Sequence, residues 1–93
     1  MTARQIDSIA AHAATVGTRL ADGAHAAWQT AHAECDLALR AWHAAAPGRN
    51  AAAHLAYLAA LDREDAAARD FEDLCRLTDA LDNMRRRRAP VAA

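Results

Sequence analysis

Lysine is missing altogether from the 93 residues, serine occurs once (Ser8), and phenylalanine and tyrosine once each. Every basic side chain is arginine, which reads as a GC-rich genome rather than as chemistry. Aromatics make up 4% of the chain although hydrophobic residues make up 54%. Much of the hydrophobicity is therefore alanine, whose methyl group buries little area. β-branched residues such as Ile6, Ile9, Thr15 and Val16 are few, and strands depend on them. Alanine is the strongest helix former, so the fold class is all-α. No run approaches twenty apolar residues, so no membrane span is expected. Arg4, Asp7 and His12 stand where the apolar core of a signal peptide would lie, and a cytoplasmic bacterial protein is expected. Two cysteines, Cys35 and Cys75, are too few for a disulfide framework and suit a reducing compartment.

The absences continue at the level of motifs. There is no Gly-rich phosphate loop, no nucleophile elbow and no serine or cysteine paired with an evident base, so no enzyme activity is expected. No histidine pair has the spacing of HxxxH. His25, His32 and His43 fall near one helical line, but seven residues span ~10 Å, too far for one metal. His43 and His54 are equidistant from the Pro47-Gly48 dipeptide, where the chain is expected to turn, and can approach each other. The acids Asp62, Glu64, Asp65, Asp70, Glu72 and Asp73 lack the Glu-x-x-His pattern of bundle di-metal sites. Arg63, Arg69 and Arg76 interleave with them at spacings of three and four, which reads as surface ion pairing. No metal and no cofactor is expected.

What is present is helical periodicity. Thr2 and Gln5 have capping-box spacing. Apolar positions then recur through Ile6, Ile9, Ala13, Val16, Leu20, Ala24, Ala27, Trp28, Ala31, Cys35, Ala38, Leu39 and Trp42. They predict a first helix over about 3–45. Pro47 and Gly48 mark a turn over 46–50, with Gly48 free to adopt a left-handed conformation and Asn50 placed to cap the next helix. That second helix is predicted over about 51–86, with apolar positions Leu55, Tyr57, Leu58, Leu61, Ala68, Phe71, Leu74, Cys75, Leu77, Leu81 and Met84. Residues 1–88 then form one hairpin domain, and 89–93, with Pro90, a flexible tail. Gly17 and Gly23 weaken the first helix, and a three-helix bundle broken near Gly23 is the alternative.

Folding at the turn places Trp42 by His54, Leu39 by Tyr57, Cys35 by Leu61, Trp28 by Ala68 and Leu20 by Cys75. Cys35 and Cys75 are then ~20 Å apart by helix rise and act as core residues. The leucines of the second helix spread over a third to half of its circumference, more than one companion covers. A homodimer forming a four-helix bundle is expected, and an unknown protein partner would satisfy the same surface. The expected interface is Trp28, Trp42, Leu55, Leu74, Leu77 and Leu81. The functional expectation is a protein-interaction or scaffold module.

Net charge is −1, but Arg85, Arg86, Arg87 and Arg88 concentrate four of the eleven arginines. They suit the negative end of a helix. They also suit phosphates, so a nucleic-acid-associated regulator is the second expectation. A metal- or ligand-sensing bundle is the third.

Overall fold

A computed structural model describes residues 2–88, without the side chain of Arg88; the expected tail 89–93 lies outside the described residues. Among these there are two long helices and no strand. Helix α1 spans Ala3–Ala44 and helix α2 spans Asn50–Arg88, joined by a short 3-10 turn at Pro47–Arg49. The capping box forms: the Gln5 amide donates to the Thr2 hydroxyl at 3.2 Å, and the Thr2 amide donates to the Gln5 side chain at 2.8 Å. Helix α1 runs unbroken through Gly17 and Gly23, so the three-helix alternative does not hold.

The reversal is tighter than the sequence suggests. Ala45 and Ala46 are extended, as proline demands of the residue before it. Arg49 donates its amide to the Ala46 carbonyl at 2.8 Å, and the 3-10 turn passes straight into α2. Two expectations are corrected here. Gly48 is not left-handed, because a 3-10 turn keeps φ negative. Asn50 is not a cap but already helical, with φ −62° and ψ −40°, and its side chain instead accepts from the Trp42 indole at 3.2 Å.

The seam between the helices follows steps of four and three. In α1 the positions that line it, all buried or half-buried, are Gly17, Ala21, Ala24, Trp28, Ala31, Cys35, Ala38 and Trp42. In α2 they are Ala53, Tyr57, Ala60, Glu64, Ala67, Phe71, Leu74, Thr78 and Leu81. This 3.5-residue repeat is that of a left-handed coiled coil. Gly17 lies against Thr78, where an added Cβ would stand 3.1 Å from the hydroxyl oxygen. From that layer the antiparallel register sets Ala21 opposite Leu74, Ala24 opposite Phe71, Trp28 opposite Ala67, Cys35 opposite Ala60, Ala38 opposite Tyr57 and Trp42 opposite Ala53. Each large side chain meets a small one. Thr78 is tolerated because its hydroxyl donates to the Leu74 carbonyl of its own helix at 2.9 Å.

The expected seam is met where Trp42 faces His54 and is out of phase at Leu39, Cys35 and Leu20. Trp42 stacks on His54 with ring centroids 4.4 Å apart, as the hairpin register requires. Trp28 and Ala68 line one depression. Tyr57 also stacks on Trp42 rather than pairing with Leu39. Leu61 is exposed, and the buried Ala60 takes the place opposite Cys35. Ile9, Val16 and Leu20 are exposed, while Gly17 and Ala21 occupy the seam. Leu20 and Cys75 lie on opposite flanks. Bulky α2 residues such as Leu74 and Leu81 fill the space at this end, so α1 has to present small ones.

Glycine substitutions separate the two tight places. A Cβ at Gly48 meets nothing within 4 Å, so Gly48→Ala is expected to stabilise the chain by about 0.4–1 kcal/mol by restricting the unfolded state. Gly17→Val crowds Thr78 and is expected to cost about 1–3 kcal/mol. Thermal or urea unfolding of both variants checks this; a loss of stability in Gly48→Ala would restore the left-handed turn.

Candidate interaction surface

The hairpin is long and thin, with extents of 72 × 23 × 13 Å. Among the described residues the buried apolar ones are Ala21, Ala31, Cys35 and Ala60, and no large side chain is fully buried. A single seam shields one strip of each helix and no more. The rest of the apolar surface is therefore the candidate site.

The six expected interface residues do not form one patch. Trp28, Trp42, Leu74 and Leu81 belong to the intramolecular seam and are half-buried there. Leu55 lies on the back of α2, 66% exposed, and Leu77 lies on one flank, half exposed. Exposed Ile9, Val16 and Leu20 on α1 and Leu58 and Met84 on α2 were not among them. The first three belong to the apolar series of α1, in which hydrophobicity alone does not separate the seam row from its neighbour. Counting back by sevens from Trp42 through Cys35 and Trp28 leads to Ala21 and Ala14, and would have marked the small row as the buried one.

The two flanks of the seam differ in chemistry. One carries aromatic and polar groups. His25 sits edge-on to Phe71 at 4.9 Å, and Trp28 leans on both. Trp28, Ala68, Phe71, Glu72 and Cys75 line a shallow depression of about 330 Å³. Further along, the His32 imidazole Nδ1 donates to the Glu64 carboxylate at 2.9 Å, with Asp36 3.9 Å from the other ring nitrogen. His43 and His54 do not meet; each ring packs against Trp42. Among the described residues no group of three His, Cys, Asp or Glu is arranged to hold a metal ion. The opposite flank is tied at its middle by Arg63 and Glu34, 3.8 Å apart.

Around Cys35 the polar groups hold one another's protons. Burial first, and the adjacent Glu64 carboxylate next, push the Cys35 thiol up to about 11. It stays protonated at neutral pH, the reverse of an activated nucleophile. Glu64 is held below the ordinary 4.5, first by the Cys35 thiol and then by His32. His32 is raised above 6.5 by its hydrogen bond to Glu64, then by the charges of Glu64 and Asp36. Both cysteines are free.

The acidic run of α2 is mostly answered on its own helix. Arg69 pairs with Asp65 at 2.6 Å, and Arg76 with Glu72 and Asp73. Glu64 and Arg63 depart from this pattern by crossing to α1. In the arginine cluster Arg86 pairs with Asp82 at 2.9 Å, and Arg85 shares a depression with Asp79 and Asp82. Among the described residues no helix is long and apolar enough to cross a membrane.

No family model, curated protein or solved structure matches the chain.

The His32–Glu64 contact makes a pH signature. The contribution of His32 is complete below pH 6.5 and is lost as pH rises through its raised value. That of Glu64 is complete above pH 4.5 and is lost as pH falls through its lowered value. The melting temperature is expected to drop as pH rises from 6.5 through the raised value of His32, and to drop less in His32→Gln. Equal drops in the two proteins would remove the contact. Alkylation at neutral pH, followed by peptide mass mapping, should modify the half-buried Cys75 before Cys35; the opposite order would show that Cys35 is neither buried nor proton-held.

Proposed function

We propose that this chain is a self-associating helical interaction module, a homodimer in which two hairpins complete a four-helix bundle. The observation that supports it is area. The hairpin exposes 7097 Å², whereas a compact monomer of this mass exposes about 5,200 Å². Its radius of gyration is 20.8 Å, against about 12 Å for a compact domain of this length. The surplus, about 1,900 Å² per chain, falls in the range that each subunit of an obligate pair covers. A seam whose buried apolar members are three alanines and a cysteine supplies little of the hydrophobic gain that a domain this small requires.

Such a module acts by presenting the outer surfaces of the bundle to other proteins. The arginine cluster is a weaker basis for function, because Asp79 and Asp82 stand among its first members. Sedimentation equilibrium and light scattering are expected to give twice the chain mass of 9.9 kDa. The melting temperature is expected to rise with protein concentration, as it does whenever folding and association are coupled. A 9.9 kDa species with a concentration-independent melt would refute the proposal.

A further inference from the structure

Helix α1 carries a second apolar row beside the seam. It runs Ile6, Ile9, Ala13, Val16, Leu20, Gly23 and Ala27, again in steps of three and four. No charge interrupts it before Glu34, which is already paired with Arg63. That pair fixes the register across this flank and sets Leu20 opposite Leu77 and Ala13 opposite Met84. Leu20 is 53% exposed, and Leu77 and Met84 are exposed to the same degree. The row covers ~32 Å of helix.

Other apolar groups lack this continuity. On α2, the row of Leu55 continues into Asp62 and Arg69, and the row of Leu58 into Asp65 and Glu72. The aromatic flank is lined by His32, Glu64 and Glu72.

Resting on the homodimer proposed above, we infer that the occupant of this row is the same row of a second copy, running antiparallel, with the two-fold axis near Val16. The pattern of sizes selects that arrangement. With the axis between residues 16 and 17, Leu20 meets Ala13 and Ile6 meets Ala27, Ile9 falls within one residue of Gly23, and Val16 packs beside its own copy, so that Leu20, Ile6 and Ile9 each face a small residue. The intramolecular seam obeys the same rule. A parallel pairing would set Ile9 on Ile9 and Leu20 on Leu20, leaving Gly23 on Gly23. A two-fold contact of this kind is self-complementary and closed. The surplus of about 1,900 Å² per chain sets the scale of the surface that such a contact has to cover.

The test uses the full chain with Cys75→Ser, Cys35 remaining in the seam, and single cysteines introduced by Val16→Cys, Leu20→Cys or Leu58→Cys. Mild oxidation is followed by non-reducing gel and mass analysis. Near the axis the two copies of residue 16 come within the Cα separation that a disulfide spans, so Val16→Cys is expected to cross-link nearly completely. Residue 20 and its mate stand ~10–12 Å apart along the axis, so Leu20→Cys should remain largely uncross-linked. A dimeric parent in which Leu58→Cys cross-links and Val16→Cys does not overturns this face while leaving the homodimer intact. Cross-linking of Val16→Cys and Leu20→Cys alike overturns the antiparallel order. A monomeric parent overturns both proposals. In addition, Val16→Glu is expected to shift the parent from dimer to monomer or unfolded chain, whereas Leu58→Glu should leave the mass unchanged; the reverse result overturns the assignment.

Discussion

Everything in this structure depends on the pairing of small with large side chains across one narrow seam. Alanine or glycine in one helix faces Leu74, Phe71, Tyr57 or Thr78 in the other, and Trp28 and Trp42 are answered by Ala67 and Ala53. Such layers let two helices approach closely, and the gain comes from many short-range contacts rather than from a broad apolar interior. The arrangement has a geometric consequence. Two rods in contact shield one strip each, so a 93-residue chain spread over 72 Å cannot build a core of its own. The association proposed above would give the remaining apolar surface its cover.

The seam also tolerates one buried-edge acid because its neighbours complete it. Glu64 stands in the register opposite Ala31, which leaves room for the carboxylate to turn toward the flank. There it accepts from His32 at 2.9 Å and lies beside the Cys35 thiol. The arrangement keeps the thiol protonated and the carboxylate charged. This is a positional device more than a strong bond: His32 is largely in water, where ion pairs contribute little. Its value is in register, since sliding the helices by one layer would leave Glu64 against the apolar part of the seam without a partner.

How much of this could be read from residues alone divides along a physical line. Local chemistry was legible. The Thr2–Gln5 box and the Pro47 reversal are set by neighbours in sequence, and they appear as expected, apart from the handedness of Gly48 and the role of Asn50. The closed end of the seam was legible at Trp42, whose contact with His54 appears as expected, while Tyr57 joins Trp42 there instead of Leu39. The open end was not. There α1 offers a bulky row, Ile9–Val16–Leu20, next to a small row, Ala14–Gly17–Ala21, and hydrophobicity alone favours the bulky one. Packing decides otherwise, since the bulk on α2 at that end excludes bulk on α1. For the same reason the residues expected at the interface divide: Leu77 is half exposed on one flank, while Leu74 and Leu81 are half-buried in the seam of the hairpin itself.

That error points to the architecture. A helix with two adjacent apolar rows has two neighbours to satisfy, and a helix with one has a single neighbour. Between Ile6 and Thr30, α1 carries Asp7, Arg19 and Asp22 as its only formal charges, all of them off both rows. Helix α2 carries acids and arginines through most of its length, many of them paired with one another on its outer face. The two helices are therefore not equivalent: α1 has the composition of an inner helix and α2 that of an outer one. In an arrangement built on α1 against α1, the charged faces of both α2 helices remain in water and the uncharged rows leave it. An arrangement built on α2 would instead have to strip water from Asp62, Asp65, Arg69 and Glu72, and desolvation of that many charges outweighs what Leu55 and Leu58 gain by burial.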